Sequence, residues 1–166
     1  MDKLWSPWRS KYIDSFKEES KTGCIFCDAI DQEINDDKTL LVHKGKFAFV
    51  VLNLYPYNGG HLMIVPYRHL DNFIDLSEDE LTEIMNLTKT ALKALEMESK
   101  PQGFNFGANL GRAAGAGIDT HLHFHIVPRW IGDSNFMPVI GEIKVISQDL
   151  LEMKNKLVKQ FEKLLL

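Results

Sequence analysis

The chain has 166 residues, 45% of them apolar, with 19 Lys and Arg against 23 Asp and Glu and a formal charge of −4. That length suits one substantial core and calls for no second domain. The slight acidic excess excludes a sequence-wide attraction to nucleic acid or an anionic membrane, so an anionic ligand has to be held by local chemistry.

The N-terminal MDKLWSPWRSKYID has no continuous apolar stretch, and no later run approaches the roughly 18 apolar residues of a membrane span. A cytoplasmic protein is expected. Residues 1–23 mix Trp5, Trp8, Tyr12 and Phe16 with charges in no clear period, which predicts an extended arm lying on the domain. The two cysteines, Cys24 and Cys27, form one Cys-x-x-Cys, which in a reducing compartment points to metal binding or thiol redox chemistry over a structural disulfide. A short helix is predicted over Cys24–Ile30.

Two β-rich runs follow, TLLVH and FAFVVLNL, and the Gly45 between them marks a hairpin. The loop YPYNGG leads into a third strand, HLMIVPY. Ser77-Glu78-Asp79-Glu80 has the form of a capping box, with Ser77 as N-cap and Glu80 at the third helical position. Leu81, Ile84, Met85, Thr88, Ala91, Leu92 and Leu95 behind it keep the spacing of one buried helix face. FNFGANL reads as a fourth strand, GRAAGAGID as a loop and THLHFHIVP as a fifth strand. The segment PRWIGDSNFMPVIGEIKVI is partly extended, and Ser147 is expected to cap a last helix over 147–166, with Leu150, Leu157, Val158, Phe161 and Leu164 on one face. These elements predict an α+β domain: a mainly antiparallel five-stranded sheet, one long helix between strands three and four, and a C-terminal helix.

Three of the six histidines, His121, His123 and His125, alternate within THLHFHIVP. On a strand rising about 3.3 Å per residue they share one face, and the outer two lie roughly 13 Å apart, too far for one metal to take all three. Leu122, Phe124 and Ile126 then point into the core. The spacing gives the central imidazole the chemistry and its neighbours support: neutral imidazole is a good nucleophile, and a hydrogen bond to one ring nitrogen leaves the other free to attack. Phosphorus is a plausible target. Gly111, Gly115 and Gly117 precede the triad, where backbone N–H groups can approach an anion, with Arg112 able to add charge and Asn109 an amide. His61 and His69 flank the third strand. Either of them, with one triad histidine and the two cysteines, completes a Cys2His2 set for zinc.

HLHFHIV and GGHLMIVPYRH resemble the two recurring segments of the histidine triad family of nucleotide hydrolases and transferases. LWSPWRSKYI and VPRWIGDSNFMPVIG are similar to the subgroup containing bacterial diadenosine tetraphosphate phosphorylases. The resemblance implies a homodimer in which His123 attacks the α-phosphorus of an adenine nucleotide conjugate, such as a dinucleoside polyphosphate, and forms a nucleotidyl-histidine; the alternatives are a diadenosine tetraphosphate phosphorylase using inorganic phosphate and a non-catalytic nucleotide-binding sensor. It implies that His125 contacts the phosphate and leaving group and that His61 supports the triad. Asn53 would hold the ribose, Ile25 and Phe26 the base, and Asn109 and the amides around Gly117 the phosphate. It also implies a structural zinc on Cys24, Cys27, His69 and His121. Where many members carry Gln followed by Ser or Thr before the triad, this chain reads Gly117-Ile118-Asp119, a departure that bears on the leaving group or acceptor.

Overall fold

A computed structural model describes residues 23–133 and 148–166. The N-terminal arm up to residue 22, the 134–147 segment and the Ser147 cap lie outside the described residues. Helix α1 spans Ile25–Ile30, with Cys24 in extended conformation at its N-cap. Strands β1 (Leu41–Lys44) and β2 (Ala48–Leu52) form the expected antiparallel hairpin, followed by β3 (Leu62–Pro66). The long helix α2 (Glu78–Ser99) leads to β4 (Gly103–Gly107), β5 (Phe124–Arg129) and the C-terminal helix α3 (Leu150–Leu165). The five strands pair antiparallel in the order β1-β2-β3-β5-β4. The α+β reading holds.

Strands β2 and β3 are buried along their whole length because they are central in the sheet. Gly45 closes the β1–β2 hairpin: its N–H donates to the Ala48 carbonyl at 2.8 Å, and a side chain there would collide with that oxygen and with Glu83. From α2, the Glu83 carboxylate accepts the N–H groups of Lys46, Phe47 and Ala48, fastening the hairpin to the helix.

Three sequence expectations are corrected. Met85 is half exposed, and the buried face of α2 runs through Ile84, Leu87, Thr88, Ala91, Ala94 and Leu95. The i, i+3, i+4, i+7 stripe therefore passes one position beside Met85. Helix α3 starts at Leu150 and is capped by Asp149, whose carboxylate accepts the Glu152 N–H at 2.8 Å. Strand β5 begins at Phe124, so His121 and His123 sit on irregular backbone before it, held by the Leu122 N–H donating to the Leu70 carbonyl. Leu122, Phe124 and Ile126 are buried as expected, and so are the three histidines.

The capping box of α2 is present in full. Ser77 Oγ accepts the Glu80 N–H, and the Glu80 carboxylate accepts the Ser77 N–H at 2.8 Å. The same carboxylate takes both Nε and Nη2 of Arg68 at 2.7 Å, and the guanidinium holds its pKa at about 2. Glu80→Ala removes the reciprocal half of the capping box and leaves Arg68 only its bond to the Asp75 carbonyl, so it is expected to lower stability by about 1–3 kcal/mol, with Glu80→Gln intermediate, in urea midpoints.

Candidate active site and metal centre

The site is assembled where β3 and β5 pair, Met63 opposite His125. Gly60, at φ +75, brings the chain close over Leu95 and delivers His61, fully buried, to the start of β3. The backbone N–H of Tyr57 donates to His61 Nδ1 at 3.0 Å, and Asn53 Nδ2 lies 3.4 Å from the same nitrogen. Two donors on Nδ1 put its lone pair there and the ring proton on Nε2. His61 Nε2–H therefore donates to His125 Nδ1 at 2.9 Å, which leaves the His125 proton on Nε2. That Nε2 is buried and has no partner among the described residues. Burial, and then the charge of His123, push the His125 pKa down to about 4, so the ring is a neutral donor near pH 7.

His123 is set by a different acceptor. Its Nδ1 donates to the His121 carbonyl at 2.8 Å, so Nε2 carries the free lone pair. Burial lowers its pKa against that hydrogen bond, which also favours the neutral ring. The His123 and His125 rings lie 4.8 Å apart between centroids. Phe26 packs against His123 at 5.0 Å and edge-on to His121 at 5.5 Å.

His121 faces away from this pair. Its Nε2 donates to the Pro66 carbonyl at 2.9 Å, leaving Nδ1 as a lone-pair atom 3.3 Å from Cys24 Sγ and 3.7 Å from Cys27 Sγ. His69 Nδ1 is 3.2 Å from Cys27 Sγ, and the four ligand atoms lie within 4.8 Å of one another. A tetrahedral zinc, with bonds of about 2.3 Å to sulfur and about 2.0–2.1 Å to nitrogen, spaces its ligand atoms about 3.3–3.8 Å apart. The donor set suits such an ion, and three of its spacings, 3.2, 3.3 and 3.7 Å, are close to those of a tetrahedral shell. The carbonyl behind His121 is the kind of outer partner that fixes a ligating tautomer. Burial and the neighbouring Cys24 thiol push the Cys27 pKa up, a cost a bound cation would reverse.

The remaining expected residues are placed less tightly. Asn53 is engaged at both ends, its Oδ1 accepting the Tyr55 N–H at 2.9 Å. Ile25 is largely exposed on the first turn of α1. Asn109 lies two residues past β4, not at its end, and lines a cleft with His125. Gly111 and Gly115 take positive φ around a short 3-10 turn, and Gly117 is exposed with open space around it. Arg112 does not supply spare charge, since its Nε is paired to Asp119 Oδ2 at 2.7 Å on the loop's own rim. Sequence reasoning overlooked Tyr57, whose ring sits 4.6 Å from His61 and 5.7 Å from His125. Its only signal was its place in the aromatic loop YPYNGG, just before the two glycines.

Residues 34–130 match the HIT domain. The chain belongs to the HIT family. It is 39% identical over 165 residues to an AP-4-A phosphorylase of Mycobacterium tuberculosis, covering 97% of this chain and 85% of that protein. A histidine triad nucleotide-binding protein of Sulfolobus tokodaii shares the fold with a TM-score of 0.67 and 27% identity, over 85% of this chain and 93% of its own. A zinc-bound histidine triad protein of Mycobacterium smegmatis does so with a TM-score of 0.66 and 19% identity, over 87% and 97% of the two chains. This chain is thus a histidine triad enzyme of the nucleotide hydrolase and transferase class. No helix among the described residues is long and apolar enough to cross a membrane.

Proposed function

We propose that this enzyme splits dinucleoside polyphosphates at an α-phosphorus, with His123 as the nucleophile. The observation that carries the reading is the opposed protonation of two adjacent buried rings, His123 with a free Nε2 lone pair and His125 with an unpartnered Nε2–H. One can attack while the other donates to a phosphoryl or leaving-group oxygen. Nε2 of His123 forms a P–N bond as the bridging P–O bond breaks, and the electron pair leaves on the departing polyphosphate oxygen. Water or inorganic phosphate then attacks the same phosphorus, breaks the P–N bond and restores the lone pair to Nε2.

Phe26 and Ile25 serve as the base wall, Asn53 as the ribose contact, and Asn109 with the amides near Gly117 as phosphate donors. Cys24, Cys27, His69 and His121 hold a structural zinc, supported by their spacing and by the zinc-bound relative. The zinc would tie the start of α1 to the segment before β5. The family resemblance favours a homodimer, and a reducing cytoplasm suits the paired thiols of Cys24 and Cys27.

The M. tuberculosis relative favours inorganic phosphate as the acceptor. Product analysis on diadenosine tetraphosphate tests this. ATP plus ADP formed only with phosphate present identifies a phosphorylase, ATP plus AMP without it identifies a hydrolase, and intact substrate under both conditions refutes the proposal.

A further inference from the structure

We propose that the cleft beside His125 is a second nucleoside subsite, which takes the base and ribose of the departing nucleotide. This rests on the nucleotidyl-transfer reading above. β5 turns His125, Val127 and Arg129 to one face, and β4 sets Gly107 opposite His125 and Asn105 opposite Val127. Together with Tyr57 and Asn109, these residues line a cleft of about 320 Å³. Gly107 puts no side chain across from His125, and the space around it is open.

The ring contacts run in the order Phe26, His123, His125, Tyr57, with centroids 5.0, 4.8 and 5.7 Å apart. A dinucleotide whose transferred half rests on Phe26, with its phosphorus at His123, therefore extends its departing half past His125 toward Tyr57. The buried, unpartnered His125 Nε2 stands at the head of the cleft. From His125 to Arg129 the strand covers about 13 Å, long enough to lie alongside a nucleoside.

Charge decides which moiety the far end takes. Arg129 is the one cation among the lining residues, and Asp133 neutralises it through bonds of 2.6 and 2.9 Å. Arg129 Nη1 also donates to Asn105 Oδ1 at 2.7 Å. That end is therefore neutral and amide-rich, and at the head of the cleft the half-exposed ring of Tyr57, 5.7 Å from His125, gives the cleft a stacking face. It suits a planar base better than further phosphate, because stacking on an aromatic ring requires no cation.

The test compares diadenosine tetraphosphate with adenosine 5′-tetraphosphate, which present the same attacked phosphorus and differ in the second nucleoside. In calorimetry on the full chain carrying His123→Ala, the dinucleotide is expected to bind about tenfold or more tightly. Adding Asn105→Trp, which fills the cleft beyond His125, or Tyr57→Leu, which removes the stacking face, should erase that advantage. Affinity for the tetraphosphate should stay within about twofold, and an unchanged Tm shows that each variant is folded. Equal affinities in the parent, or an advantage that survives both substitutions, overturns the subsite. An advantage erased as expected, in a protein whose intact His123 turns over neither compound, supports the subsite and refutes the nucleotidyl-transfer reading.

Discussion

His123→Ala is expected to abolish turnover, by about 1000-fold or more in kcat, while nucleotide affinity stays measurable. In the proposed mechanism this ring supplies the lone pair that forms the P–N bond, and neither neighbouring triad imidazole is set to replace it. His125 has its Nδ1 occupied by His61 and its proton on Nε2, and His121 points both nitrogens elsewhere. His125→Leu should be milder, about 100-fold, because it removes one donor to a developing charge and leaves the nucleophile. Quenching the wild-type reaction in alkali, which preserves a P–N bond, should recover adenylate on His123. Comparable kcat in His123→Ala, or the adduct on another side chain, would reject the assignment.

Stripping the metal is expected to reach the nucleophile through one residue. His121 offers Nδ1 to the cysteine cluster and its carbonyl to His123 Nδ1, so the ligand set and the group that fixes the nucleophile's tautomer share a backbone. Phe26 lies between Cys24 and Cys27 in sequence and packs on both His121 and His123. Protein purified without added zinc should carry about one zinc per chain. Chelation or Cys24→Ser should cost about 3 kcal/mol or more, about 6–12 °C in Tm at this size, with a concurrent fall in kcat. A metal-free protein that readily forms a Cys24–Cys27 disulfide would instead assign the pair to thiol exchange.

The sequence by itself determined most of the elements and named the candidate site residues. Turn chemistry at Gly45, the Ser77–Glu80 capping box and the apolar stripe of α2 are local patterns that the backbone obeys directly, apart from the one-position error at Met85. His121, His123 and His125 are all buried at the site as their alternation suggested, although β5 starts only at Phe124 and His121 turns to the cysteines instead of sharing the face of the other two.

Only the tertiary structure decided what those residues do for one another. Spacing left His61 and His69 equal as partners of the cysteines. The fold separates them, sending His69 to Cys27 and His61 to His125, a neighbour 64 residues away in sequence. The tautomers depend on the Tyr57 N–H and on the carbonyls of Pro66 and His121, which are backbone groups that any residue type supplies and no motif encodes. The cleft brings Tyr57 and Asn58 beside Gly107 and His125, paired across from each other in a register set between segments that only folding brings together.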